Sequence, residues 1–334
     1  MGFIELEKMD AETISGEINK FINILNIDVN KFVGQGYDGC ATMAGKDGGV
    51  QKILRETYKK GLYFHCASHK LNLVVNDLNK VPEIRNCIGT VKDTINFFRE
   101  SVLRRKYAPK IPLLCETRWS QKYKSIALFK THFIEIVKGL EQLSQEGNSG
   151  TRTAAFQLLS AVGQTSFILS LCIIDKYNSL LEPVANILQS KTLDIIKCSD
   201  HIKTIKTAVI EHRLSAEEGS EELLKTANEI AEALDIQLLI PRTIGRQIYR
   251  ANHPAASLSE YFRRSLYVPY LDSLLSSLEA RFSQDQSPAF ALSLLHPAQI
   301  TKIAAAELKI RMEEVSKFYE LEGIMSEAQL WQIY

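Results

Sequence analysis

The sequence predicts an α+β fold, mostly α: a small α/β core holding two strands, followed by a large helical domain. Three observations predict it. Apolar residues at helical spacing dominate the chain. Only two short apolar runs, residues 31–37 and 62–66, read as strands. Both lie near the amino terminus and alternate with helical patterns, the order of a parallel α/β unit. The expected domains are 1–82 for the α/β core and 83–334 for the helical part, with a further boundary near 215–240.

Each element has its own signal. Ile14, Ile18, Phe21, Ile22 and Leu25 predict an opening amphipathic helix. Lys31–Tyr37 predicts a strand running into a turn crowded by Gly34, Gly36 and Gly39, where backbone passes closely. Val50, Ile53, Leu54 and Thr57 mark a second helix ended by Gly61, and Leu62–Cys66 is the second strand. Leu71, Val74, Val75, Leu78 and Val81 mark a third helix, expected to stop at Pro82. Two strands leave a parallel sheet with unmanaged edges, so further strands are expected either from outside this chain or from later in it, where no good candidate stands.

Beyond Pro82 the pattern turns to long helices. One runs through Ile84, Ile88, Val91, Ile95, Phe98 and Val102, and another, without a break, through Ile126, Phe129, Phe133, Ile136, Leu140 and Leu143. Gly147–Gly150 reads as a polar loop. Ser215–Asp235 is acid-rich and predicts an exposed helix or a mobile connector. Leu271, Leu274, Leu275, Leu278 and Phe282 give a helix after Pro269, and Ser283–Ser287 a polar loop.

The 334 residues are 45% hydrophobic and 24% charged, as in ordinary globular chains, and the net charge is +1. Bulk charge therefore does not mark a nucleic-acid binder, and any DNA contact must come from a local patch. Six scattered cysteines are too sparse for a disulfide framework and suit a reducing compartment. Met1 leads into charged residues rather than a secretory leader. The longest apolar stretch, Phe167–Ile174, falls short of the roughly 20 residues a bilayer span needs. Cytosol or nucleus is expected, with no membrane partner.

Three motifs have the residue types for chemistry. Gly36-Tyr37-Asp38-Gly39 puts a carboxylate at a strand end, where parallel sheets gather ligands; Asp38 there suits Mg²⁺, or simply forms an Asp-Gly turn. Cys66-Ala67-Ser68-His69 is half of a tetrahedral zinc site, a catalytic Cys–His pair, or packing or scaffolding for its neighbours. Thr117-Arg118-Trp119-Ser120 sits in the most basic stretch, with nine Lys or Arg against two acids between Arg99 and Lys130. Arg118 and Trp119 suit phosphate contact and base stacking, or Trp119 caps the core.

In order and spacing these motifs resemble those of the hAT-superfamily DNA transposases and of domesticated proteins descended from them. Pro241–Gln247 and Tyr267–Asp272 are similar to the branch that includes zinc finger MYM-type protein 1-like proteins. The resemblance implies a partial RNase H-like core interrupted by a helical insertion. It implies that Asp38 is the second of three catalytic acids that together hold two Mg²⁺, that Cys66 and His69 scaffold the pocket, and that Arg118 and Trp119 meet DNA. It also implies a nuclear protein with DNA as partner and self-association through segments missing here. The family's first Asp and its Glu have no counterpart in these residues. One carboxylate cannot hold two divalent ions about 4 Å apart, so the chain alone is expected to bind no metal cofactor and to leave DNA uncut.

Overall fold

The computed structural model describes residues 3–114, 119–189, 195–242, 255–282 and 288–333. In chain order they form α1 (Ala11–Ile24), β1 (Gly34–Tyr37), α2 (Ala41–Ala44), α3 (Val50–Thr57), β2 (Leu62–His65), α4 (Ala67–Asp77) and α5 (Pro82–Arg99). There follow α6 (Trp119–Thr131), α7 (Phe133–Glu146), α8 (Ser149–Val162), α9 (Thr165–Leu188), α10 (Ile195–Leu214) and α11 (Ala216–Glu232). The chain continues through α12 (Leu258–Phe262), α13 (Val268–Phe282), α14 (Pro288–Ala291), α15 (Pro297–Ile300), α16 (Ala305–Tyr319) and α17 (Ile324–Ile333). The fold is α+β and mostly α, and among the described residues its sheet has two parallel strands, as expected.

Several boundaries differ from expectation, each for a local reason. Residues 31–33 are not strand. Val29–Lys31 is a 3₁₀ turn capped by Asp28, whose Oδ1 accepts from Asn30 N at 3.0 Å. Phe32 instead packs on Tyr58, ring centroids 4.8 Å apart, and against the bare backbone of Gly61. A Cβ on Gly61 would sit 2.5 Å from the Phe32 ring, so the glycine lets the aromatic in. Pro82 does not merely stop a helix; it is the first residue of α5, where its missing N–H costs nothing. Val102 lies beyond the end of α5 and is exposed.

The expected unbroken helix through residues 126–143 is two helices parted at His132. Phe129 and Phe133 are both buried on either side, their rings 5.9 Å apart, so the apolar spacing runs straight through the break. The loop at 147–150 is shorter than expected, because Asn148 accepts from Thr151 N at 2.8 Å and starts α8 at Ser149. Most of the Ser215–Asp235 stretch is the helix α11, Ala216–Glu232. Ala216, Ser220, Leu223, Ala227 and Ala231 make its buried face, and the acids take the other side.

The chain forms two compact units, residues 1–70 with 282–334 and residues 71–281. This partition does not coincide with the expected 82/83 boundary, because the carboxy-terminal helices cluster with the amino-terminal segment. In the first unit Val50 and Leu54 are fully buried, Phe64 meets Phe290 with centroids 5.8 Å apart, and Lys60 pairs with Glu320 at 2.7 Å. Leu308, Met312, Val315 and Ala328 centre a cluster under α16 and α17.

In the second unit α9 is the axis. It is apolar around much of its circumference, from Phe167 to Ile174 and on through Tyr177, Leu181, Val184 and Ala185. A helix of that kind has to be surrounded; α5, α6, α10 and α11 pack against it. No single described helix is long and apolar enough to cross a membrane.

Candidate functional site

The two strands pair in register, Gly34 with Leu62 through Tyr37 with His65. Parallel pairing brings both carboxyl ends to the same edge, so Asp38 and Cys66, far apart in sequence, become neighbours. Cys66 N donates to Tyr37 O at 2.8 Å and carries the ladder one step past the strands. Tyr63 closes the same corner, its hydroxyl donating to the Asp38 carbonyl at 3.0 Å. The strand is held from behind by Gln35, a buried side chain whose Nε2 donates to the carbonyls of Gln51 and Gly61, both at 3.0 Å.

Asp38 itself is exposed. Its Oδ1 accepts from Cys40 N at 3.1 Å, which folds the turn back on itself. The Cys40 thiol and amide hold the carboxyl below its ordinary range, and His69 and His65 add to the effect. The imidazoles stand behind the turn, ring centroids 5.1 Å apart. Gly39 passes directly in front of them. A Cβ there would lie 2.6 Å from His65 Cε1 and 2.8 Å from its Nε2, so only glycine fits between Asp38 and the histidine pair.

Cys66 is exposed just before α4, its carbonyl accepting from Lys70 N at 2.9 Å, and His69 lies half-buried in the helix's first turn. Among the described residues no group of three or more His, Cys, Asp or Glu side chains is placed to hold an ion. Mg²⁺ wants about six oxygen ligands, whereas this corner offers one carboxylate flanked by imidazoles and thiols. The residues present do not fit a two-Mg²⁺ centre.

Arg118 lies outside the described residues. Trp119 begins α6, and its side chain likewise lies outside them. The surrounding basic stretch is less available than its composition suggests. Arg99 donates to Ile111 O at 3.0 Å, Arg104 lies 4.3 Å over the Phe97 ring, and Arg105 donates to Arg99 O. Lys122 is buried and Lys130 pairs with Asp175 of α9 at 2.7 Å. A signal for Lys122 exists in the sequence: it precedes Ile126 by four residues and Phe129 by seven, which puts it on the inner face of α6.

Of the later family-like segments, residues 243–247 lie outside the described residues, and so does the predicted loop Ser283–Ser287. Tyr267 and Tyr270 are core residues. The Tyr267 and Tyr177 hydroxyls are 2.8 Å apart, and Tyr177 Oη is 3.0 Å from His212 Nδ1. This buried polar network gave no sequence signal, because its members come from α9, α10 and the π-helical turn Arg263–Tyr267 leading into α13.

No family model matches the chain, and no solved structure matches it. It is similar to the human and mouse proteins named 52 kDa repressor of the inhibitor of the protein kinase, 22% identical to each over 321 and 322 residues. These alignments take in 89% of this chain and 42% of each relative, so the chain spans well under half the length of the curated proteins it matches.

Proposed function

We propose that the chain derives from a hAT-type DNA transposase, keeps one corner of the family's sheet-end site at Asp38, contacts DNA through Arg118 and Trp119, and does not cut DNA by itself. The observation that carries this reading is the convergence at one sheet edge of two motifs that are distant in sequence, with Gly39 packed between Asp38 and the His65–His69 pair. Cys66 and His69 then act by shaping that corner. Because the donors present do not fit a metal pair, no cleavage step is assigned to the chain alone. The compartment that suits such a protein is the nucleus.

Purified protein incubated with supercoiled plasmid and Mg²⁺ or Mn²⁺ is expected to leave the plasmid intact. Nicking that disappears in Asp38→Ala would overturn the inactivity. A labelled DNA duplex is expected to bind with steep salt dependence and to be released in the Arg118→Ala/Trp119→Ala double variant. Absence of binding at low salt removes the DNA part of the proposal.

A second reading, a non-catalytic interaction protein, is favoured by the name of the two relatives, which describes a repressor acting on an inhibitor of a kinase. It predicts a defined protein partner and no duplex binding.

A further inference from the structure

The segment of residues 100–114, which follows α5, is firmly held and yet leaves large apolar side chains in solvent. Ile111 and Leu114 are buried, Arg99 donates to Ile111 O, and Ser125 Oγ donates to Leu113 O at 3.3 Å. The backbone of α7 closes on it so tightly that a Cβ on Gly139 would lie 2.1 Å from Tyr107 O. Pro109 and Pro112 restrict it further. Against that anchoring, Val102 is 72% exposed, Leu103 70% and Leu113 53%. Such side chains in an ordered segment mark a contact surface rather than a loosely packed core.

The same segment carries Arg105, Lys106 and Lys110, all exposed, and Gly139's neighbour Lys138 is exposed on α7. None of the four has an acidic partner among the described residues. Glu100 is taken by Arg104 and Glu135 by His132, which leaves Glu141, one turn along α7 from Lys138. Phosphodiester recognition explains the cations but not the valine and leucines beside them. We infer that residues 102–113, with Lys138, form a docking surface for an acidic segment of a partner protein that carries apolar side chains between its carboxylates. The apolar residues of such a segment cover Val102, Leu103 and Leu113, and its carboxylates meet Lys106, Lys110 and Lys138, Arg105 being turned onto the Arg99 carbonyl. The inference stands apart from the Asp38 site and does not depend on the transposase reading.

The test uses the full chain and fluorescence anisotropy with three probes: a synthetic acidic peptide alternating Glu or Asp with Leu and Phe, its counterpart with Lys for each acid, and a DNA duplex. Two exposed-residue variants, Val102→Ser/Leu103→Ser and Lys106→Glu/Lys110→Glu, are checked for unchanged melting temperature. The acidic peptide is expected to bind and the lysine peptide not. Each variant is expected to weaken the acidic peptide by roughly tenfold or more, while the serine variant leaves duplex binding unchanged. Equal binding of both peptides, or acidic-peptide binding that ignores the serine variant, overturns the proposal. A duplex that outcompetes the peptide on the same lysines assigns the surface to nucleic acid instead. A concentration-dependent dimer abolished by the serine variant assigns it to a second copy.

Discussion

At the scale of single residues, the sheet corner depends on an absence of side chain. Gly39→Ala forces a methyl into the His65 ring, and overpacking of this kind costs about 1–3 kcal/mol. Denaturant unfolding of the first unit should show that loss. Asp38→Ala should change stability by less than about 0.5 kcal/mol, since its carboxylate is exposed and meets only its own turn. The contrast separates a residue kept for chemistry from one kept for shape. A second residue carries a pH dependence. Burial, and then Lys176, holds His212 below its ordinary 6.5, while Glu222 and Glu211 pull the other way. As pH falls below about 6.5, the unfolded chain takes up this proton before the folded one does. Stability is therefore full above that value and is lost towards acid. Melting temperatures of the protein and of His212→Gln, followed from neutral to mildly acidic pH, should diverge on the acid side. Parallel curves would exclude His212 as the source.

At the scale of elements, the helices were legible wherever an apolar face repeats at helical spacing, as in α5 and α13. The strands were legible only in part. Phe32 and Val33 have strand-forming side chains, yet Phe32 packs locally against Tyr58 and Gly61, Val33 is exposed, and the true strand is the glycine-bearing Gly34–Tyr37. Tertiary context overrode β-propensity there. The meeting of the Asp38 and Cys66 motifs at one sheet edge follows from the two strands running parallel, an order the sequence already suggested. The histidine backing of that corner was not legible, because only the strand register brings His65 behind Gly39. The buried Tyr177–Tyr267–His212 network belongs to the illegible part, and it predicts a cost. Tyr267→Phe leaves the buried Tyr177 hydroxyl one partner short, which should lower stability by roughly 1–3 kcal/mol. Gly219→Ala should act in the same direction, because its Cβ would lie 2.7 Å from Tyr267 Oη. An unchanged unfolding midpoint in both variants would mean the network contributes nothing.

At the scale of the whole molecule, the first unit is built from both ends of the chain and the second from its continuous middle. Pairings such as Lys60 with Glu320 and Phe64 with Phe290 leave no local trace, so the sequence gives no sign that the carboxy-terminal helices join the amino-terminal segment. Continuity has a folding consequence. Contacts in the middle segment close around α9 without waiting for the distant ends, so loop-closure entropy opposes them less. The first unit must join segments more than two hundred residues apart, and among the described residues its sheet has two short strands, fewer than an independently stable sheet needs. A fragment of residues 67–281, started at the beginning of α4 to keep that helix whole, should therefore be helical by circular dichroism and melt cooperatively. A chain cut after residue 282 should keep that melt and lose hydrogen-exchange protection across 34–37 and 62–65. In the intact chain, amides of α9 should exchange far more slowly than those of β1. Strong protection in 31–37 matching that of α9 would show that the sheet is steadied by something other than its own two strands, and the first unit would then have to be counted as stable in its own right.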